Sequence, residues 1–437
     1  MRSNFHPAHR SREPLPAGAF PRSARGRAWR VIHACEYARD VLAVVEGQVA
    51  AGMRPFIITP QGAGAAELYL AGRNHDQPRS LSLLRSWQDV RNWRKSLLDC
   101  NPETSSDIVH AHGFAAGMAA VRSCSSVAYD LGACIEELAI SAGLCELGSW
   151  MARSFRVAEQ FILTRSGAVI VHSQGVQQAA LERGTPAENI FVVPSPIDTE
   201  DTPGMLLDRN SGADFLARRF GLSPDAICFF VPQFSPEHAL DLSPAAVSVL
   251  EGFALAANAP PQFKLLVEAP ESARRAINEQ ASRLGISPHV ALVHPLDAPA
   301  ALASAHVIVA LGETPADPVM ARQADETCLN SLRLGKTLLA ADVPRNRDAS
   351  PEGRGCLWFE SCNARDLGYR MAFLGRKPEF RAALGAAGRM YIFENRSIAA
   401  VVRKYDEAYR YAASRRKSTG ASPTMTMNNM ELAENWG

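Results

Sequence analysis

Asp107-Ile-Val-His-Ala-His-Gly113 and Gly167-Ala-Val-Ile-Val-His-Ser173 follow one pattern: a short apolar run that meets histidine just before a small residue. A continuous apolar run of this length is what a parallel strand buried on both faces shows. Working outward, similar runs recur at Val31–Ile32, Arg54-Pro-Phe-Ile-Ile-Thr-Pro60 and Ile190-Phe-Val-Val-Pro194. The second half adds Ala226-Ile-Cys-Phe-Phe-Val-Pro232, Phe263-Lys-Leu-Leu-Val267, Val290–Val293, His306–Leu311 and Thr337–Ala341. Helical spacing separates them. Leu42, Val45, Val49 and Met53 mark one helix, and Leu84, Trp87, Val90 and Leu97 mark one face of Leu81–Leu98. Glu271–Leu284 reads as another helix, stopped by Gly285. Alternating strands and helices predict an α/β fold of two Rossmann-like doubly wound domains facing across a cleft.

The chain has 437 residues, enough for two such domains. The expected organisation is a flexible basic leader at 1–28, a first domain at 29–200 and a linker at 201–222. A second domain follows at 223–395, then a C-terminal helix at 396–413 that packs back on the first domain, and a disordered tail at 414–437. Apolar residues make up 47% and charged residues 21%, which excludes a mostly disordered chain. Net charge is +1, so bulk electrostatics predicts no nucleic-acid partner. The nine cysteines are scattered without CxxC spacing, and no metal site is expected from them. They read as reduced core residues of a cytoplasmic protein. No run approaches the roughly 18 apolar residues of a membrane span. The leader, with Arg2, Arg10, Arg12, Arg22, Arg25 and Arg27 against Glu13, is either a solvated tail or a peripheral contact with the inner membrane face.

The order of motifs resembles the retaining GT-B glycosyltransferases of the family-four type. Asp107-Ile-Val-His-Ala-His-Gly113 is similar to that family's strand-end His-x-His segment. Glu159 with Gly167–Ser173, and Gly184-Thr-Pro-Ala-Glu-Asn-Ile-Phe-Val-Val-Pro-Ser-Pro-Ile-Asp198, resemble the stretches that close its first domain. Ser331-Leu-Arg-Leu-Gly-Lys-Thr-Leu-Leu-Ala-Ala-Asp-Val-Pro344 resembles its donor-site segment. The resemblance covers roughly residues 28–412. It implies a nucleotide-sugar donor, a glycan or lipid-linked acceptor, and no cofactor or metal beyond the nucleotide-sugar as co-substrate.

A departing nucleotide diphosphate needs cations and backbone N–H groups aimed at its growing charge. The family supplies an Arg, a Lys and two glutamates eight positions apart. Here the Arg position reads Gln233 and the Lys position His238, while the second glutamate reads Asn330 and the first Arg322. Glu313 and Glu326 flank that segment, either as displaced sugar-contacting acids or as exposed loop acids. His112 falls where the family places a sugar-contacting histidine and is the expected catalytic residue; otherwise it satisfies backbone groups at a strand end. His110 is expected to pack beneath it, and His172 to be structural. Gly62-Ala-Gly-Ala-Ala is only a partial match to a nucleotide loop. Two functions follow from the resemblance. One is transfer of a hexose from a nucleotide-sugar to a lipid-linked or polysaccharide acceptor with retention. The other is a catalytically inactive relative acting as a binding or scaffold partner in polysaccharide assembly.

Overall fold

The computed structural model describes residues 29–35, 41–59, 62–65, 86–100, 107–197, 214–215, 218–221, 223, 225–232, 236–238, 241–257, 262–312, 318–350 and 353–415. The leader, most of the linker and nearly all of the tail lie outside the described residues. The chain divides into two compact units, Met1–Pro194 with Val401–Gly437, and Ser195–Ala400.

The first unit runs β1 (Arg30–Ala34), α1 (Leu42–Ala50), β2 (Arg54–Thr59), β3 (Gly62–Ala65), α2 (Ser86–Asp99), β4 (Asp107–His112) and α3 (Phe114–Ser123). It continues with β5 (Val127–Leu131), α4 (Ile135–Ser141), α5 (Trp150–Arg165), β6 (Ala168–Val171), α6 (Gln174–Glu182) and β7 (Ile190–Val192). The sheet order is β3-β2-β1-β4-β5-β6-β7, parallel except at β3. Gly62-Ala-Gly-Ala-Ala is therefore not a nucleotide loop. Its small residues let the backbone turn straight back and pair Gly62 through Ala65 with Thr59 through Phe56 as an antiparallel edge.

Side chains alternate between the faces of a strand, so each apolar run feeds two cores. On one face Ile32, Val109, Val127, Tyr129 and Val169 pack under α2, α3 and α5. On the other, Val31, Ile108, Ala128 and Ile170 meet Tyr405, Tyr409 and Ala412. Those last residues belong to the C-terminal helix Ile398–Ser414. Trp29 Nε1 donates to Asp406 Oδ1 at 2.9 Å and Tyr411 Oη donates to Asn189 Oδ1 at 2.9 Å, which fasten that helix to the first unit.

The second unit holds β8 (Ile227–Val231), the ribbon β9 (Pro236–His238) with β10 (Asp241–Leu242), α7 (Pro244–Ala257), β11 (Phe263–Glu268), α8 (Glu271–Arg283), β12 (Val290–Val293) and α9 (Ala298–Ser304). Then come β13 (Val307–Ala310), α10 (Pro318–Arg333), β14 (Thr337–Ala341), α11 (Pro344–Ala349), β15 (Cys356–Phe359), α12 (Ala364–Arg376) and α13 (Pro378–Asn395). The C-terminal helix is α14. Its main sheet is all parallel, in the order β12-β11-β8-β13-β14-β15. Two close approaches lock its helices. A Cβ on Gly252 of α7 would stand 2.8 Å from the Ala364 carbonyl of α12, and one on Gly385 of α13 would stand 2.0 Å from the Gly335 carbonyl.

Candidate functional site

Doubly wound sheets bind ligands beyond the carboxyl ends of their strands, where the strand order reverses. In the first unit that point lies between β1 and β4. The register sets His33 beside His110 and His112 beside Asp130. Residues in register share a face, and so do residues two apart. His33, His110, His112 and Asp130 thus emerge on one face, the one that α14 covers, and His172 follows just beyond β6. Gly113, with φ of +83°, turns the chain from His112 straight into α3.

Six side chains form a ring there that is open at one link. His33 Nε2 lies 2.8 Å from Gln48 Oε1, and Gln48 Nε2 donates to Tyr409 Oη at 3.0 Å. Tyr409 Oη lies 2.9 Å from His110 Nδ1. His33 Nδ1 lies 3.1 Å from His112 Nε2, and His112 Nδ1 lies 3.2 Å from Asp130 Oδ2. His110 Nε2 stands 3.7 Å from the same oxygen, outside hydrogen-bond reach. His172 adds a second arm. Its Nε2 lies 2.9 Å from Asp130 Oδ1 and its Nδ1 lies 2.6 Å from the Val193 carbonyl. Both partners are acceptors, an arrangement that favours a proton on each ring nitrogen of His172 beside the carboxylate.

The electrostatics agree. Burial alone pushes the Asp130 carboxyl up, but His172, with His110 and His112, outweighs it and holds the group well below the usual carboxylate range. Burial, then the neighbouring His112, pulls His110 down to about 3. Burial, then His110 and His112, pulls His33 well down as well. His33 and His110 are neutral imidazoles at neutral pH. His112 and His172 keep 20% and 28% of their side-chain surface exposed and are the members that reach solvent.

A second buried group lies near the end of β5. Glu159 accepts from Ile135 N at 3.0 Å and so fixes the start of α4. Burial pushes its carboxyl up to about 7, although Arg183 Nε is 3.3 Å away.

The remaining expected site residues belong to the second unit. Gln233 and Glu313 lie outside the described residues. His238 ends β9, with its side chain outside the described set. Arg322, Glu326 and Asn330 recur every four residues along α10 and share one face of it. Glu326 is exposed and Asn330 half-buried, and the side chain of Arg322 is outside the described set. The switch point of this sheet, between β8 and β13, ends in Val231 and Ala310, both apolar. Nearby, Asn346 ties β13 to β14 by donating to the Leu311 and Ala341 carbonyls at 3.1 and 2.9 Å. Arg347 is held by both oxygens of Asp342 at 2.5 and 2.8 Å, so its charge is already matched.

His33, Gln48, Asp130 and Tyr409 were not singled out from sequence. The available signal was a polar residue inside an apolar strand run, as in Val31-Ile-His-Ala34 and Val127-Ala-Tyr-Asp-Leu131.

Two Rossmann-like parallel sheets, each in its own unit, with a polar switch point in the first, define the GT-B class of fold. Residues 36–196 match the family described as glycosyl transferase 4-like domain. That match lies almost entirely within the first unit, and the solved structures below share the two-domain GT-B fold. A glycosyltransferase from Rickettsia africae superposes with a TM-score of 0.61 at 13% identity, covering 88% of this chain and 98% of that one. Anabaena HepE in complex with UDP gives 0.56 at 14% identity, covering 88% and 100%. Sucrose-phosphate synthase from Thermosynechococcus elongatus gives 0.52 at 13% identity, covering 87% and 98%. No curated protein sequence matches the chain. No described helix is long and apolar enough to cross a membrane.

Proposed function

We propose that this protein transfers a hexose from a nucleotide-sugar to a lipid-linked or polysaccharide acceptor, with retention of anomeric configuration. The observation that carries the reading is the polar ring at the switch point of a glycosyl transferase 4-like domain. The HepE structure holds UDP, which supports a nucleotide-sugar as donor. In this reading His112, positioned by Asp130 and His33, lines the sugar side of the site and exchanges its contact with His33 for one with a sugar hydroxyl. His172 and Asp130 hold their charges as an internal pair, so the field presented to the sugar stays constant through the reaction. Gln233, His238, Arg322, Glu326 and Asn330 line the donor side, where Asn330 hydrogen-bonds the ribose and Arg322 faces the phosphates. Transfer itself draws on no metal. The basic leader gives peripheral contact with the inner membrane face, where a lipid-linked acceptor is presented.

One observation favours a second reading. Both ring nitrogens of His112 are already engaged, by His33 and Asp130, and the family's Arg and Lys positions read Gln233 and His238. A catalytically inactive scaffold in polysaccharide assembly has this character. Incubation of the full chain with UDP-, GDP- and ADP-sugars and an acceptor panel separates the two. The transferase reading expects a glycoside product of unchanged anomeric configuration by NMR, lost in His112→Ala. Absence of turnover with every donor, together with stable co-purification with another assembly protein, selects the scaffold.

A further inference from the structure

We propose that His33, His110 and His112 form a binding site for one divalent transition-metal ion of the zinc type. One ring nitrogen from each lies within 4.8 Å of the other two. His33 Nδ1 and His112 Nε2 stand 3.1 Å apart. Two imidazole nitrogens sharing a tetrahedral zinc ion, with bonds of about 2.0–2.1 Å, stand about 3.3 Å apart. That pair needs little movement, and the His110 nitrogen, within 4.8 Å of both, closes in by up to about 1.5 Å.

The outer nitrogens of His33 and His112 are arranged as a metal site requires. A ligating histidine is held by a partner on its other ring nitrogen, which fixes the tautomer and aims the lone pair. His33 Nε2 is held by Gln48 Oε1 at 2.8 Å, His112 Nδ1 by Asp130 Oδ2 at 3.2 Å, and His110 Nδ1 by Tyr409 Oη at 2.9 Å. With the Gln48 amide nitrogen donating to Tyr409, His33 must donate to Oε1, and its Nδ1 is left as a lone pair. His112, donating from Nδ1 to Asp130, likewise turns a lone pair toward His33. Two lone pairs meeting at 3.1 Å need a cation, either a shared proton or a metal ion. A third observation is independent of these. His110 Nε2 is buried and has no hydrogen-bond partner; because Tyr409 Oη accepts from Gln48 and donates to His110 Nδ1, that nitrogen carries the ring proton, which shifts to Nδ1 when Nε2 takes the ion.

Three imidazoles select a borderline ion such as Zn²⁺ or Co²⁺ over Mg²⁺ or Ca²⁺, which take oxygen ligands. Entry is from the half-exposed His112 side, and the remaining position is left to water or to the nearby Asp130 carboxylate. The sequence could not suggest this site, because His33 and His110 are brought together only by the pairing of β1 with β4.

The ion takes the same His112 nitrogen that the transferase reading gives to the sugar, so the two occupants exclude each other; its binding is read without any nucleotide, and failure of the transferase reading leaves this proposal standing. The test is calorimetric titration of ZnCl₂, with MgCl₂ for comparison, into untagged, chelator-stripped full-length protein. One Zn²⁺ per chain at micromolar affinity or tighter is expected, with no heat from Mg²⁺. His110→Ala and His112→Ala weaken Zn²⁺ binding by about 100-fold or more. His172→Gln, which touches Asp130 but gives no nitrogen to the triad, changes it by less than about threefold. Melting curves of the metal-free variants confirm folding, and His112, at the strand end, remains usable if the buried His110→Ala does not fold. Zn²⁺ uptake that is absent in the wild type overturns the proposal. So does uptake that persists unchanged in the variants, as adventitious binding at the exposed Cys362 would produce.

Discussion

The two sheets reverse their strand order at equivalent places, and the described strand ends there differ in chemistry. Between β1 and β4 the strand ends carry His33, His110 and His112, with Asp130 on the next strand. Between β8 and β13 they end in the apolar Val231 and Ala310. Among the described residues, the same backbone plan therefore carries a buried polar cluster in the first unit and apolar strand ends in the second. A fold supplies the place for a site, and only the side chains at that place supply chemistry.

The largest expected effect comes from the first switch point. Asp130→Asn removes the charged acceptor that both His112 and His172 face, and hydrogen bonds to a charged group are typically worth about 1.5–3 kcal/mol each. Denaturant unfolding should show that loss. A loss below about 1 kcal/mol would mean that the polar ring does not hold the unit together, and the contrast would fail.

Glu159 gives a pH-dependent version of the same contrast. Its carboxyl is raised by burial from 4.5 to about 7, so the folded protein favours the protonated form. The stabilisation is complete below about pH 4.5 and is lost as pH rises through about 7. The shift corresponds to about 3 kcal/mol. Glu159→Gln still accepts from Ile135 N and does not ionise. Its stability relative to wild type should improve by about that amount between pH 4.5 and 7.5, measured by unfolding at each pH.

The second unit should respond to packing instead. Gly385→Ala puts a Cβ against the Gly335 carbonyl, and overpacking of this kind costs about 1–3 kcal/mol. Unfolding at several pH values should show a constant loss. The smallest effect sharpens the functional side of the comparison. Gln233→Arg combined with His238→Lys restores two cations to the donor side and should tighten UDP binding about tenfold, or about 1.4 kcal/mol, in a calorimetric titration.

Much of the fold was legible because parallel strands buried on both faces leave short apolar runs that need no partner to be recognised. Phe263-Lys-Leu-Leu-Val267 and Thr337–Ala341 fall within or on the observed strands β11 and β14. The helix expected at Glu271–Leu284 is observed at Glu271–Arg283. β3 was hidden, because Gly62-Ala-Gly-Ala65 has no side chains to show alternation. Of the cluster, the sequence pointed to His110, His112 and His172, through the two strand-end motifs. Their partners come from residues 33, 48, 130 and 409, each ordinary in its own neighbourhood. Strand order and register create the ring, and neither is written in local sequence. The helical spacing of Arg322, Glu326 and Asn330 was present in the sequence all along, and the structure shows them on the single helix α10.

The most direct test of the central claim, that this GT-B chain uses a nucleotide-sugar, is calorimetric titration of the full-length protein with a panel of UDP-, GDP- and ADP-sugars. The account predicts that one of them binds with one molecule per chain and a Kd below 1 mM, an affinity of about 4 kcal/mol or better. Silence from the whole panel at millimolar concentration would contradict it.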